Sequence, residues 1–296
     1  MNNPELKIDE QKCIHCGLCM KECPACCIEL GESSVPYMEK DKEDNCIKCQ
    51  HCLAVCPVGA LSILGKSPDD SQPVGSINSD DLLNLIKSRR SIRNYRPVNL
   101  DSERMSKLKD MLKWTPTGCN FHDLHFAFVD DIEVMDDIRS KINSRLIKFL
   151  GNKFAEKALE KFASYREALI DGEDVIFRGA PHMVVVSVPL NAPCANVDPM
   201  IALSYFDLYA QSLGVGTLWC GFAHMCFKLF PDMCEYIGIP DGYKVSYVML
   251  FGEPDVKYAR STQPEEFKVS SVKLQEEIPE MTLLKQIKRV LTNIIR

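Results

Sequence analysis

The sequence predicts an α+β protein in two parts. A small segment organised by cysteines comes first, and a larger domain follows with a central mixed or antiparallel sheet flanked by helices. Three observations predict this. Ten of the 15 cysteines lie between Cys13 and Cys56. Beyond residue 80, apolar residues at helical spacing alternate with short β-branched runs, the pattern of one sheet packed by helices. Between these parts, residues 67–80 are rich in Ser, Pro, Asp and Gly, the composition of a linker. The expected organisation is residues 1–66, linker 67–80, a second domain over 81–265, and a C-terminal extension over 266–296 with an amphipathic helix.

At 296 residues the chain has room for about two domains of ordinary size. Its 46% hydrophobic content is enough for a packed core. A net charge of −6 argues against nucleic acid as a partner, because such binding usually needs a basic face. No apolar run approaches the roughly 20 residues of a membrane span. The N-terminus, MNNPELKIDE, lacks the basic start and apolar core of a secretory signal, so a cytoplasmic protein is expected. In a reducing cytosol, crowded cysteines point to metal rather than disulfides.

The crowding is ordered. Cys13, Cys16, Cys19 and Cys23, followed by Pro24, read C-x2-C-x2-C-x3-C-P. Cys46, Cys49, Cys52 and Cys56, followed by Pro57, repeat the run 33 residues later. Three cysteines at this spacing can wrap one iron–sulfur cube. The fourth is carried away from it within a helical turn, toward a neighbouring cube. Zinc is the competing reading, but zinc frameworks pair two C-x2-C knuckles without the third and fourth cysteines and the proline. The segment resembles bacterial-type two-cluster ferredoxins, whose fourth cysteine ligates the other cluster. Two [4Fe–4S] clusters are therefore expected, one on Cys13, Cys16, Cys19 and Cys56, the other on Cys46, Cys49, Cys52 and Cys23. Cys26 and Cys27, outside both runs, are expected as small buried residues. His15 and His51 are expected at the surface.

In the second domain, Ser79 or Asp80 can cap the helix DLLNLIKSRR. A further helix is expected from near Leu100 to about Trp114, with Asp101 and Ser102 as cap candidates, then a strand over 124–129. Amphipathic helices over 131–149 and 152–170 lead to a β-branched buried strand over 181–189. An apolar helix over 199–213 precedes strands at about 216–220 and 243–251. In the tail, 279–296, Leu283, Leu284, Ile287, Val290, Leu291, Ile294 and Ile295 share one helical face, with Lys285, Lys288 and Arg289 outside it. This helix reads as a clasp on a partner subunit or on the first domain. Packing on its own core and attachment to a membrane surface are the other readings.

Four segments of the second domain stand in a familiar order. They are Arg89-Arg90-Ser91-Ile92-Arg93; Thr115-Pro116-Thr117-Gly118-Cys119-Asn120; Gly214 to Phe222, through Trp219-Cys220-Gly221; and Phe251-Gly252-Glu253-Pro254 with Tyr258 and Arg260. Together they resemble the nitroreductase family of FMN-dependent oxidoreductases. The resemblance implies that Arg89, Arg90, Ser91 and Arg93 grip the FMN phosphate and ribityl chain, for which guanidinium forks are well suited. It implies that Pro116, Thr117, Gly118 and Asn120 contact the flavin ring from the partner subunit. The backbone of Cys220 and Gly221 is then expected to meet flavin N5, where an N–H stabilises the reduced ring. Arg260, or else Lys257, is expected to reach the phosphate. The family continues after the Asn with Gln-Pro-Trp, whereas this chain has His122, Asp123 and Leu124. No G-x-G-x-x-G follows a strand and opens a helix, so a Rossmann nicotinamide site is not expected.

The two halves together predict an FMN-dependent oxidoreductase, a homodimer with FMN at the subunit interface. A reduced ferredoxin or other one-electron donor would supply electrons through the clusters, and the flavin would pass them to a small-molecule acceptor such as a nitroaromatic or quinone. Air-sensitive clusters suggest an anaerobe. Two other readings stand beside this one: an electron carrier or redox sensor without a dedicated substrate, and a specialised reductase or dehalogenase with His122, Tyr165 and Arg166 lining its pocket. No side-chain nucleophile or base is expected, since the cofactor supplies the chemistry. Cys119, Cys194, Cys226 and Cys234 read as packing residues.

Overall fold

The computed structural model describes residues 4–152, 163–274 and 282–294. Residues 1–261 form one unit and residues 262–296 another. In the cysteine-rich part, β1 (Leu6–Ile8) pairs antiparallel with β4 (Leu61–Ile63), which ties its two ends together. Strand β2 (Ile28–Leu30) pairs with β3 (Pro36–Met38). Two short helices, α1 (Leu18–Lys21) and α2 (His51–Val55), begin inside the two cysteine runs. Ile28, Leu53, Leu61 and Ile63 fill a small core together with Cys19 and Cys52.

The 33-residue repeat is also a repeat of backbone shape. Left-handed φ values recur at His15 (57°) and Lys48 (57°), Gly17 (68°) and Gln50 (60°), and Cys26 (52°) and Gly59 (60°). Such residues reverse the chain locally, so that successive cysteines face one space. Non-glycine residues occupy several of these positions at a steric cost, which marks them as imposed by the site. Cys27 is fully buried as expected. Cys26 is not; it is exposed, because it occupies the turn position that Gly59 fills in the second copy.

Helix α3 (Ser79–Ser88) is capped one residue earlier than expected. Asn78, in extended conformation, accepts from the Asp80 N–H at 2.8 Å. Helix α4 (Ser102–Met111) is capped by Asp101, whose carboxylate accepts from the Arg104 N–H at 2.8 Å. The chain then tightens into a single turn over Leu112–Trp114.

The central sheet has β5 (His125–Val129), β6 (His182–Pro189), β7 (Gly216–Trp219) and β8 (Tyr243–Gly252), in the order β5-β6-β8-β7, with every pair antiparallel. Strand alternation divides its side chains between two cores. Met183, Val185, Val248 and Leu250 face one core, with α5 (Ile132–Leu150) and α8 (Gly221–Leu229). Val184, Val186, Met249 and Phe251 face the other, with α4 and α7 (Asp198–Ser212). Helix α6 (Ala163–Ile170) follows α5, and α9 (Pro231–Tyr236) follows α8. The first part of the helix expected over 152–170 lies outside the described residues. The C-terminal unit contains α10 (Leu283–Ile294), on which Leu283, Leu284, Ile287, Val290 and Leu291 are exposed. Among the described residues, no helix is long and apolar enough to cross a membrane.

Candidate functional site

The eight motif cysteines divide between two cavities, and the division crosses the repeat. Cys13, Cys16 and Cys19 frame a small cavity together with Cys56. Cys46, Cys49 and Cys52 frame another together with Cys23. The fourth sulfur of each run is held the same way. The Cys27 N–H donates to Cys23 Sγ at 3.3 Å, and the Ala60 N–H donates to Cys56 Sγ at 3.2 Å. Burial raises the Cys19 thiol and pushes the Cys52 thiol up to about 12. A buried thiolate therefore needs a cation beside it, and coordinated iron supplies one. Each quartet sets soft sulfur donors around one space, with an N–H group aimed at sulfur, the donor chemistry that iron–sulfur clusters use. None of the 15 cysteines forms a disulfide.

The arginine run lies against the sheet edge. Ser91 forms a parallel bridge with Thr217, and the Ile92 N–H donates to the Thr217 carbonyl at 2.8 Å. Gly216 permits the approach, since a Cβ there would stand 2.6 Å from Ile92 Cγ1. Tyr95 bridges Pro254, and the Arg96 N–H donates to the Glu253 carbonyl at 2.9 Å. Two of the four resembling segments thus converge on this run. At its start, Arg89 lies 3.6 Å from the buried carboxylate of Asp207. Asp207 also accepts from Trp219 Nε1 at 3.0 Å and from the Thr217 hydroxyl. A guanidinium has five N–H donors, so this anchor leaves Arg89 with capacity for an anion. Arg90 is half-buried, with Nη1 donating to the Arg89 carbonyl, and Arg93 is exposed. Three guanidinium groups on a fixed edge suit a phosphate.

The loop 115–122 is fixed at several points. Thr115 is buried, with its hydroxyl donating to the Leu112 carbonyl at 2.8 Å, and Pro116 is exposed. The Gly118 N–H donates to Asp198 Oδ1 at 3.0 Å, and a Cβ at Gly118 would stand 2.3 Å from Cys194 Sγ. Thr117 Oγ1 accepts from the His122 N–H at 2.9 Å. Asn120 Nδ2 donates to the Ile47 carbonyl in the cysteine-rich part at 2.9 Å, and Asn120 Oδ1 lies 2.8 Å from His122 Nε2. Part of the Asn120 amide is therefore committed within its own chain. Cys119 is exposed.

The amide pair at 220–221 needs a correction. The Cys220 N–H donates to the Val248 carbonyl at 2.9 Å, because Cys220 still continues the β7–β8 ladder. The thiol caps α8 by accepting from the Ala223 N–H at 3.4 Å. Exposed Gly221, the first helical residue, has no carbonyl four residues back in its helix, so the expected N5 contact narrows to its amide. Arg260 and Lys257 are both exposed beyond the Glu253–Pro254 turn. Tyr165 and Arg166 do not join His122. His122 lines an open groove with Thr115 and Thr117, whereas Tyr165 packs edge-on against Phe222 at 5.1 Å and Arg166 lies beside Gly151.

A cavity of about 780 Å³ opens beside α8 and is lined by His224, Phe227, Ser246 and Tyr247 among others. None of the residues expected to bind flavin lines it; they lie along the sheet edge and the 115–122 loop. Sequence reasoning missed Asp207, His224 and Tyr247. Asp207 sits on the apolar helix 199–213, where one acidic residue breaking the apolar run was the available signal.

A family model described as the Nitroreductase family matches residues 86–253. One described as a 4Fe-4S dicluster domain matches residues 6–63. No curated protein matches the sequence. The chain is similar in fold to an FMN-bound nitroreductase from Desulfitobacterium hafniense, with a TM-score of 0.53 and 23% identity over 67% of this chain and 100% of that one. An FMN-bound nitroreductase from Bacteroides fragilis gives 0.52 and 19% identity over 68% and 100%. An FMN-dependent nitroreductase from Clostridium difficile gives 0.51 and 23% over 66% and 100%. At these identities the likeness is one of fold, and that fold is α+β.

Proposed function

The chain belongs to the nitroreductase family, and on that premise we propose that it is an iron–sulfur flavoprotein oxidoreductase carrying electrons from two [4Fe–4S] clusters to FMN and on to a small acceptor. The observation that carries the reading is the pair of cavities, each framed by three cysteines of one run and the fourth of the other. The proposal takes residues 1–66 as the cluster domain and 81–265 as the flavin domain, joined by 67–80 and followed by the 266–296 extension. Bound clusters exchange one electron at a time and bound flavin one or two.

The chain's own groups do the binding and positioning. The two quartets hold iron through thiolates. Arg89, Arg90, Ser91 and Arg93 hold the flavin phosphate, with Arg260 added from the following turn. Pro116, Thr117, Gly118 and Asn120 border the ring, and the Gly221 amide steadies N5 in the reduced state. Arg93, Pro116, Gly221 and Arg260 are exposed in one chain, which supports a homodimer whose second subunit closes the site. Exposed Leu82, Leu83 and Ile86 on α3 support the same assembly. The open groove lined by Thr115, Thr117 and His122 supports a small-molecule acceptor, a nitroaromatic or quinone, over a carrier without a substrate. A built-in one-electron relay favours a ferredoxin-type donor over NAD(P)H.

The test is iron, acid-labile sulfide and FMN per chain in anaerobically purified protein. About eight irons and one FMN are expected. Eight irons without FMN would remove the flavin half of the proposal.

A further inference from the structure

One residue belongs to both halves of the molecule. Ile47 lies between Cys46 and Cys49 and lines the second cavity, and its carbonyl accepts from Asn120 Nδ2 at 2.9 Å. We propose that the second quartet, rather than the first, is the port through which electrons leave the cysteine-rich domain, and that Asn120 is the positioning residue holding that port against the flavin loop. This rests on the iron–sulfur flavoprotein reading given above.

The Asn120 amide is held at both ends. With Nδ2 donating to Ile47, Oδ1 is the acceptor for His122 Nε2 at 2.8 Å. His122 is itself held by its backbone N–H, which donates to Thr117 Oγ1 at 2.9 Å. At the other end of the loop, Gly118 is tied to Asp198 at 3.0 Å. The loop is therefore clamped between helix α7 and the Cys46–Cys49 turn. Its tip is built from two consecutive left-handed residues, Cys119 at 55° and Asn120 at 54°. Left-handed backbone is disfavoured for residues with a Cβ, and such strain concentrates where a geometry is needed. The described hydrogen bonds around the first run close within its own domain: the Cys13 N–H to the Asp9 carbonyl, the His15 ring to the Ser34 carbonyl, and the Ala60 N–H to Cys56 Sγ.

His122 gives the loop a local logic. It stands where the family pattern changes, and here it orients the amide that reaches Ile47. In each passage one electron leaves the second site and one refills it from an external low-potential iron–sulfur protein. Two passages and one proton from water convert FMN to FMNH⁻.

The test uses full-length wild type, Asn120→Ala and Asn120→Asp, purified anaerobically, with iron and FMN measured first. Each is mixed with excess reduced bacterial-type ferredoxin, and bleaching of the clusters and of the flavin is followed in the same trace. The readout is the flavin bleaching rate divided by the cluster bleaching rate. In both variants this ratio is expected to fall about tenfold or more, the scale of effect when a positioning contact is lost and groups drift by about an ångström. Cluster potentials from redox titration are expected to stay at wild-type values, which general damage to the fold would not allow. A wild-type ratio in variants that retain both cofactors overturns the inference. Loss of FMN from both variants while wild type retains it also overturns it, since Asn120 would then serve the flavin directly. Wild type without FMN or iron overturns the underlying reading, and that is visible before any kinetics.

Discussion

Asp207 is a buried carboxylate with three partners from two places: Arg89 at the end of α3, and Thr217 and Trp219 on β7. It joins the arginine run to the strand that leads to Gly221. Replacing it by Ala strands the Thr217 and Trp219 donors away from water, at a cost of about 1–3 kcal/mol. Urea denaturation of Asp207→Ala against wild type is expected to show a loss of this size, and Asp207→Asn, which keeps an acceptor, a smaller one. At this scale the sequence was legible where chemistry repeats. Eight cysteines at fixed spacing announce their own grouping, and the two cavities divide them accordingly. It was less legible where one residue serves two masters. Nothing in Cys220 itself says that its amide completes a ladder, and nothing in Asn120 says that it reaches back 73 residues to a carbonyl.

Strand β6 shows what an element can reveal. Its run of valines is buried throughout because alternate members face different cores, so a continuous apolar run marked it as central. Its first residue, His182, is buried and accepts the Leu100 N–H at Nε2, 3.0 Å away, which fixes the entry to α4. Burial holds this imidazole below its ordinary value, against opposite pulls from the Val129 backbone, Asp130 and Asp131. Burial lowers His125 and His224 as well. All three are charged more readily unfolded than folded. Their contribution is complete above the unfolded value of about 6.5 and is lost as pH falls below it. The urea midpoint is expected to drop between pH 7.5 and 5.5, and to drop less in His182→Gln, which cannot titrate.

Element ends were harder to read than element interiors. Helix α3 took its cap from Asn78 because the capping residue stands outside the helix and reaches inward. The close passage of Ile92 over Gly216 is a tertiary fact with only a glycine to hint at it. Gly216→Ala is expected to cost about 1–3 kcal/mol by overpacking, read as a lower melting temperature.

For the whole molecule, the order of the motifs foretold the architecture, while the contact between the two halves left no pattern in the sequence. The tail carries a strong apolar face, exposed on α10. On the clasp reading, deleting 279–296 is expected to shift the solution mass from dimer toward monomer, read by light scattering. A dimer of unchanged stability would count against the clasp.

The crossing of the two cysteine runs sets an order in time. As the chain leaves the ribosome, the second quartet becomes complete at Cys52 and the first only at Cys56. Both precede Arg89, the first residue of the proposed flavin cradle. Iron can therefore be installed on a nascent chain whose flavin half does not yet exist. That half then finishes folding against a turn, around Ile47, that metal has already shaped. A cell short of iron would be expected to make chains whose flavin loop has lost its footing, so the supply of one cofactor governs the reception of the other.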